Sequence, residues 1–281
     1  MKRLWSLLAL FTLPFALLRS WDVLYNIDAR TGFFYSSGWL RHILILLTVL
    51  SITLYSFVLA RRTPLTDHGT GSSPLIALLG LFSAAVITWG SALQIVGSLQ
   101  VGGFRALFMS RRALFGMGLT SIHFQSAFWS GVFGLAAALW FVWLAWSYLC
   151  RNGAVTTMPV LCVLPVLWYL VRAFSDFSYA PINYNNTLVF SCLFADLLLA
   201  LGWYRFLYCS IQGFPTDVLA KASPYALLAF LFTLSFKLPV LLIPYVHHTQ
   251  ADRLLIAADG LSAFTLFLVM TQTWKGAVSA E

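Results

Sequence analysis

The chain has 281 residues, of which 60% are hydrophobic and only 9% are charged. Soluble globular proteins carry about a quarter charged residues, so this composition excludes an ordinary soluble domain and predicts a protein surrounded by lipid. The formal net charge is +8, but the basic residues lie mostly at the ends of apolar segments, where they mark helix ends and contact anionic headgroups. We therefore expect a lipid partner and no nucleic-acid partner.

Apolar windows of about 20 residues recur along the chain and are separated by short stretches rich in Gly, Pro, Asn and Ser. No stretch is long and polar enough for a separate soluble domain, so residues 1–281 are predicted to form a single transmembrane domain. The predicted fold class is all-α, a polytopic transmembrane bundle of about eight spanning helices with short loops. The predicted spans are 4–24, 39–60, 75–99, 127–149, 157–175, 186–208, 223–246 and 254–274.

The distribution of basic residues leaves the orientation of the bundle open. Cytoplasmic loops are normally enriched in Lys and Arg. If all eight segments cross the membrane, however, the Arg61–Arg62 pair and the Arg111–Arg112 pair lie on opposite sides. The alternative is that residues 75–99 do not cross fully and fold back at their glycines.

The stretch from Val101 to Ser126, "VGGFRALFMSRRALFGMGLTSIHFQS", is too polar to span comfortably and too apolar for a free loop. Arg105 and Arg112 are seven residues apart and so share one helical face. One interpretation is an amphipathic helix at about 101–126 that lies in the interface, with Arg105, Arg111 and Arg112 on lipid headgroups. The other is an extended start to the fourth span, whose arginines reach back to the interface.

The segment from Leu231 to Val246, "LFTLSFKLPVLLIPYV", holds one lysine, Lys237, inside an apolar run of membrane-spanning length. A lysine near mid-membrane costs a few kcal/mol and normally faces the bundle interior with a partner. Asp196, in "FSCLFADLLLALGWY", lies on the preceding span. Both residues are about nine positions from the same end of the bundle, which is roughly 14 Å. Matched depth on antiparallel neighbours predicts an ion pair.

Two more residues are expected near this lysine. Asp259, in "LLIAADGLSAF", is five residues into the predicted last helix, so it should lie shallower, although a lysine side chain can reach it. Thr233 is one turn below Lys237 on the same face. Pro239 follows the lysine, removes a backbone donor and is expected to bend the helix.

Three interpretations of Lys237 are open. In the first, Lys237, Asp196, Asp259 and Thr233 form a polar site that binds an ion or a small ligand, or relays a proton. In the second, the charges are a structural tether that fixes helix register. In the third, the lysine faces lipid and its ammonium group reaches the interface.

Arg172 and Asp176, in "LVRAFSDFSY", are four residues apart near the end of the fifth span. That spacing predicts a local interfacial ion pair. A gate is the functional alternative.

Motifs of several membrane enzymes are absent from the sequence. There is no H-E-x-x-H zinc pair, no G-x-S-x-G elbow and no Walker motif. The histidines fall near helix ends or loops, where they do not form the facing pairs that ligate haem. We therefore predict no metal, no cofactor and no enzymatic activity.

Three short pieces, "TGFF" after the first span, "LPVLWYLVR" in the fifth and "WYRF" in the sixth, resemble uncharacterised multi-pass membrane proteins of clostridial-type bacteria. The resemblance implies a protein of the bacterial plasma membrane. It supplies no catalytic or binding residue.

Two hypotheses of function follow. The first is transport of a small solute or ion, with the Lys237 region as a polar site near mid-membrane. The alternative is a non-transporting sensor or an accessory subunit bound to a membrane-protein partner, which suits the short loops equally well.

Overall fold

A computed structural model describes residues 2–26, 39–62, 73–109, 123–150, 159–179, 187–212, 216–242 and 249–272. Nearly all of these residues are helical, and none of them is in a strand. The α-helices are α1 (Lys2–Tyr25), α2 (Trp39–Arg62), α3 (Pro74–Ala106), α4 (His123–Leu149), α5 (Val163–Tyr179), α6 (Thr187–Ile211), α7 (Thr216–Phe232) and α8 (Gln250–Gln272). A 3-10 helix, Pro159–Cys162, precedes α5. After α7 come a π-helix, Thr233–Lys237, and a 3-10 helix, Leu238–Leu242.

The prediction of a transmembrane helix bundle is confirmed. Within the described ranges, six helices are long and apolar enough to cross a membrane. The chain is therefore a membrane protein in contact with the lipid bilayer. The six spans are Pro74–Ala106, Phe124–Leu149, Pro159–Phe177, Phe190–Ile211, Lys221–Leu242 and Gln250–Met270.

The first two predicted spans form helices α1 and α2, each of 24 residues. The side chains of both are described only in part, so their crossing of the membrane stays a prediction. The third predicted span is helical from Pro74 to Gly102, so the alternative in which residues 75–99 fold back is wrong.

The six long helices close into a ring in chain order. Each packs against the next from α3 to α8, and α8 packs back against α3. Helix α8 also contacts α6 and the π-helical and 3-10 segments after α7. Helix α2 lies against α7, and α1 lies against the π-helical and 3-10 segments. The ring brings side chains of α5, α6, α7 and α8 toward one interior.

Large aromatic side chains fill part of that interior. Trp203 of α6 contacts Phe141 of α4 edge-to-face, with ring centroids 5.3 Å apart, and Phe206 at 5.6 Å. The Trp203 indole N–H donates a hydrogen bond of 3.0 Å to the Ser262 hydroxyl of α8. Because a buried indole N–H needs an acceptor, this bond fixes α6 against α8.

Small residues let α3 and α4 approach closely. A Cβ atom built on Gly131 of α4 would lie 2.9 Å from the Ser91 carbonyl oxygen and 2.7 Å from Ile95 Cγ1, both on α3. Small residues at such contacts are typical of membrane helices, where backbone approach and van der Waals packing supply the attraction.

Helix α3 is interrupted near its end, at Gly103, by a break that only glycine accommodates easily. Gly103 has φ +67° and ψ 168°, a conformation that side chains with a Cβ rarely adopt. The Gln125 amide of α4 then donates hydrogen bonds to the carbonyls of Ala106 and Met109 at 2.7 and 3.1 Å. These bonds satisfy carbonyls that the end of a helix leaves without partners.

The predicted interfacial helix at about 101–126 is tested only at its two ends. Residues 101–106 belong to α3, and residues 123–126 belong to α4. Arg105 is exposed, next to the exposed ring of Phe104. Arg111 and Arg112 lie outside the described residues, so their contact with lipid headgroups stays a prediction.

The close contact of α3 and α4 predicts different outcomes for two glycine substitutions. Gly131→Ala should lower the free energy of unfolding by about 1–3 kcal/mol, because the added methyl group must displace a neighbouring helix. Gly97→Ala is the matched control on α3, since no atom lies within 4 Å of its Cβ position. Unfolding of both variants by SDS in mixed micelles measures the difference. Equal stability of the two would contradict the packing of α3 on α4.

Candidate functional site

Four charged side chains meet inside the bundle. Arg172 lies on α5, Asp196 on α6, Lys237 at the end of the π-helix and Asp259 on α8. Both aspartates are fully buried, Lys237 is 1% exposed and Arg172 is 7% exposed. Each charge comes from a different helical segment. We refer to these four residues as the charge cluster.

Lys237 bridges the two carboxylates of the charge cluster. Its ammonium nitrogen forms an ion pair with Oδ1 of Asp196 and another with Oδ2 of Asp259, the latter at 2.8 Å. Arg172 Nη1 pairs with the other oxygen of Asp259, Oδ1. The arrangement holds two cations and two carboxylates, so each desolvated charge has an opposite charge beside it.

The charge cluster lies well inside the spanning helices. Asp259 follows the start of α8 at Gln250 by nine residues, and Asp196 follows the start of α6 at Thr187 by nine. At 1.5 Å per residue, each position is roughly 14 Å from the start of its helix.

Local sequence explains why Lys237 stands where the helix changes form. Pro239 has no N–H group and its ring crowds the carbonyl one turn earlier, so a regular α-helix cannot continue through it. The chain responds with one π-helical turn, in which the Leu238 N–H donates to the Thr233 carbonyl five residues earlier. A 3-10 helix follows. Single π-turns inside α-helices are frequent at functional sites.

The structure contains the predicted Lys237–Asp196 ion pair, but the predicted depth of Asp259 is wrong. Helix α8 begins at Gln250, so Asp259 lies nine residues into it rather than five. The earlier start is set by Thr249, whose hydroxyl accepts a hydrogen bond of 3.2 Å from the Asp252 N–H, while the Asp252 carboxylate accepts one of 2.9 Å from the Thr249 N–H. This reciprocal cap resembles a capping box.

Thr233 lies one π-helical turn from Lys237 and is fully buried. Its hydroxyl has no hydrogen-bond partner among the residues that the structure describes, and the same is true of Ser235. No hydrogen bond joins Thr233 to Lys237 in the described part of the chain. A role for Thr233 in binding a ligand stays a prediction.

The predicted ion pair between Arg172 and Asp176 does not form. The Arg172 guanidinium turns inward to Asp259 and lies over the Trp168 ring, 5.1 Å from its centroid. Asp176 is half-buried, and among the described residues it has no ion pair within 4.0 Å, although it interacts electrostatically with Arg172 and Lys237. Burial of the arginine explains the difference, because Asp259 meets it in the interior, where an opposite charge is worth most. A gating role for Arg172 and Asp176 stays a prediction.

Tyr169 also belongs to this site, although no motif or spacing pointed to it. It is fully buried one turn before Arg172, and its hydroxyl has no hydrogen bond of good geometry within the described ranges. The hydroxyl lies close to Ser262 and interacts electrostatically with Asp196 and Asp259. Only knowledge of which side of α5 faces inward could have identified it.

Helix α1 carries a second buried charge pair that the sequence analysis also missed. Arg19 and Asp22 are both fully buried and interact electrostatically. The Arg19 guanidinium carbon is 5.8 Å from the centre of the Phe236 ring, and Phe236 directly precedes Lys237. Opposite charges three residues apart in an apolar helix were the available signal. Helix α1 thus covers the segment that holds Lys237.

The charge cluster consists of two buried carboxylates and two buried cations held by ion pairs. In the described part of the chain, no group of three or more His, Cys, Asp or Glu side chains is placed to hold a metal ion. Comparison with protein-family models, curated proteins and solved structures finds no match. The function must therefore be inferred from the charge cluster itself.

The pairing pattern predicts unequal costs for removing members of the charge cluster. Lys237→Leu should lower the free energy of unfolding by about 3–5 kcal/mol, because it leaves Asp196 buried without a cation. Asp196→Leu should cost less, since Lys237 keeps Asp259. The double variant should be no less stable than Asp196→Leu, because Arg172 and Asp259 remain as a balanced pair. Unfolding by SDS in mixed micelles ranks the three, and a double variant as unstable as Lys237→Leu would contradict the pattern.

Proposed function

We propose that this protein transports a small solute or ion and that the charge cluster is its polar site. The observation that supports the proposal is the meeting of four buried charges from four helical segments inside the membrane-spanning region. Charged residues within membrane helices are expensive, and they commonly mark the path of an ion or a substrate. The helix is also irregular at Lys237, as the discontinuous helices of many transporters are.

The double pairing of Lys237 suits exchange of partners. A solute with a carboxylate or phosphate group could take the place of one aspartate on Lys237 while the other aspartate stays paired. A solute with an amino group could instead take the place of the lysine on Asp196. In each case one original ion pair is retained, so the site need not expose a bare charge in a low-dielectric environment.

The balance of charge favours a second candidate. Because each cation in the charge cluster has a carboxylate, the four residues could act as a brace that fixes the register of α5, α6, α7 and α8. The protein would then be a membrane sensor or an accessory subunit of a larger complex. For either candidate, the proposed location is the bacterial plasma membrane, which the sequence resemblance implies.

Ligand-dependent stability distinguishes a binding site from a brace. We expect one class of compound in a panel of small anions, amino acids and inorganic cations to raise the melting temperature of the purified protein, because binding only the folded state stabilises it. At a concentration one hundred times Kd, the gain is about 2.7 kcal/mol. The response should be lost in Lys237→Leu and kept in Lys221→Gln, a control at an exposed lysine near the start of α7.

Uptake of the stabilising compound into proteoliposomes then tests transport itself. We expect uptake by the wild type and by Lys221→Gln, and none above empty vesicles for a folded Lys237→Leu/Asp196→Leu variant. If the double variant is folded and takes up the compound as fast as the wild type, the charge cluster is a brace. A wild type that responds to no compound in either assay would also contradict the transport proposal.

A further inference from the structure

The two carboxylates of the charge cluster are unequally stabilised. Both oxygens of Asp259 face a cation, Arg172 at Oδ1 and Lys237 at Oδ2. Asp196 has one cation within ion-pair distance, Lys237, at Oδ1, and Arg172 interacts with it from farther away. Neither Asp196 Oδ2 nor Asp259 Oδ2 has a hydrogen bond of good geometry among the residues that the structure describes, but Asp259 Oδ2 has the Lys237 ammonium group 2.8 Å away and Asp196 Oδ2 has no ion-pair partner. A buried acceptor without a donor is unfavourable, above all when it carries charge.

We propose that Asp196 is a proton-binding site, which takes up H⁺ on Oδ2 while Lys237 remains paired with Asp259. The step forms one O–H bond and breaks none, and it turns a carboxylate into a neutral acid. This inference rests on the proposed transport function and names the ion involved as the proton. The proton is either the transported ion or the ion that drives transport of another solute.

The charges around Asp196 agree with the uptake of one proton. The cluster itself is neutral when all four members are ionised, and the Asp176 carboxylate interacts with both of its cations. The five groups together therefore hold two positive and three negative charges. One proton makes the set neutral, which a low-dielectric interior favours. Asp196 and Asp259 are both fully buried, but each Asp259 oxygen has an ion-pair partner, whereas Asp196 Oδ2 has none in the described residues. Asp176 is half-buried and nearer the helix end.

The other titratable groups near Asp196 are placed to modulate proton binding. Cys192 lies one turn earlier on α6 and interacts with Asp196 and Lys237. Tyr169, on α5, presents a hydroxyl that interacts with Asp196 and with Ser262 but has no hydrogen bond of good geometry in the described ranges. A tyrosine hydroxyl both donates and accepts hydrogen bonds, so it can stabilise either state of the Asp196 carboxyl group.

Infrared difference spectroscopy of the full chain in lipid nanodiscs tests the proposal. We expect a carbonyl-stretch band of one protonated carboxyl group per chain to appear as the pH falls from about pH 9 to about pH 4 and to shift in heavy water. Asp196→Asn should remove the band. This substitution preserves shape and still offers an oxygen to Lys237. Asp252→Asn, at the partly exposed cap of α8, should leave the band of the buried carboxyl group unchanged. It should reduce only the separate absorption of solvated carboxyl groups, which become protonated near about pH 4.

The outcomes that overturn the proposal are specific. Loss of the band in Asp176→Asn or Asp259→Asn, with retention in Asp196→Asn, would move the proton to another carboxyl group. If the wild type shows no such band at any pH in this range, the proposal of a proton-binding site is wrong. Should Asp196→Asn fail to fold, Asp196→Glu provides the second test, since an unchanged band frequency and midpoint would contradict the assignment.

The spectroscopic result is separable from the transport assay. The band reports proton binding at equilibrium, without a gradient or a second solute. If the protein shows the band but transports no compound into vesicles, the proton-binding site stands and the transport proposal is wrong. If it transports a solute but shows no band, the transport proposal stands and the assignment of a proton to Asp196 is wrong.

Discussion

The ion pairs of Lys237 with Asp196 and Asp259 constrain the rest of this bundle. A lysine inside a membrane protein is tolerated only if its charge meets an opposite charge in the same dry interior. Here the lysine follows α7, and its partners lie on α6 and α8. A shift of any one helix by a single residue would move its charge by about 1.5 Å along the axis and rotate it by about 100°. The requirement to pair therefore fixes the depth and rotation of three neighbouring helices at once, and Arg172 extends the constraint to α5.

Proline determines how Lys237 can serve two partners. Pro239 prevents continuation of the α-helix. The π-helical turn before it holds one residue more than an α-helical turn, because its hydrogen bond spans five residues rather than four. The lysine at the end of this turn lies between α6 and α8 rather than facing either helix alone. The same irregular segment lies against α1, where Arg19 approaches the Phe236 ring. Movement of this segment would therefore change the surroundings of both the Lys237 ion pairs and the Arg19–Asp22 pair. The segment thus couples the charge cluster to α1.

Depth could be predicted from the sequence, whereas direction could not. The pair of Lys237 and Asp196 followed from counting residues, because the rise of a helix is fixed and adjacent spans run in opposite directions. Asp259 was placed too shallow because the start of its helix depends on a cap, and the Thr249–Asp252 pair lies before the apolar run that marks the span. Arg172 was assigned to Asp176 because four-residue spacing offers a local partner. The partner of an arginine depends on which side of its helix is buried. Arg172 had one candidate carboxylate on its own helix, Asp176, and another across the bundle interior, Asp259.

The polar atoms left without partners separate a site from a brace. A brace is most stable when its charges balance and every buried donor and acceptor is bonded. The four charges do balance, but Asp196 Oδ2 and the hydroxyls of Tyr169 and Thr233 are buried without a hydrogen bond of good geometry in the described ranges. The carboxylate of Asp176 adds a third negative charge nearby. These features weaken a purely structural element, because each unsatisfied polar group costs about 1–3 kcal/mol. They are expected where a second species completes the hydrogen bonding. A proton on Asp196 supplies a hydrogen at Oδ2 and one positive charge, so a single small ligand accounts for the open Asp196 oxygen and for the excess negative charge.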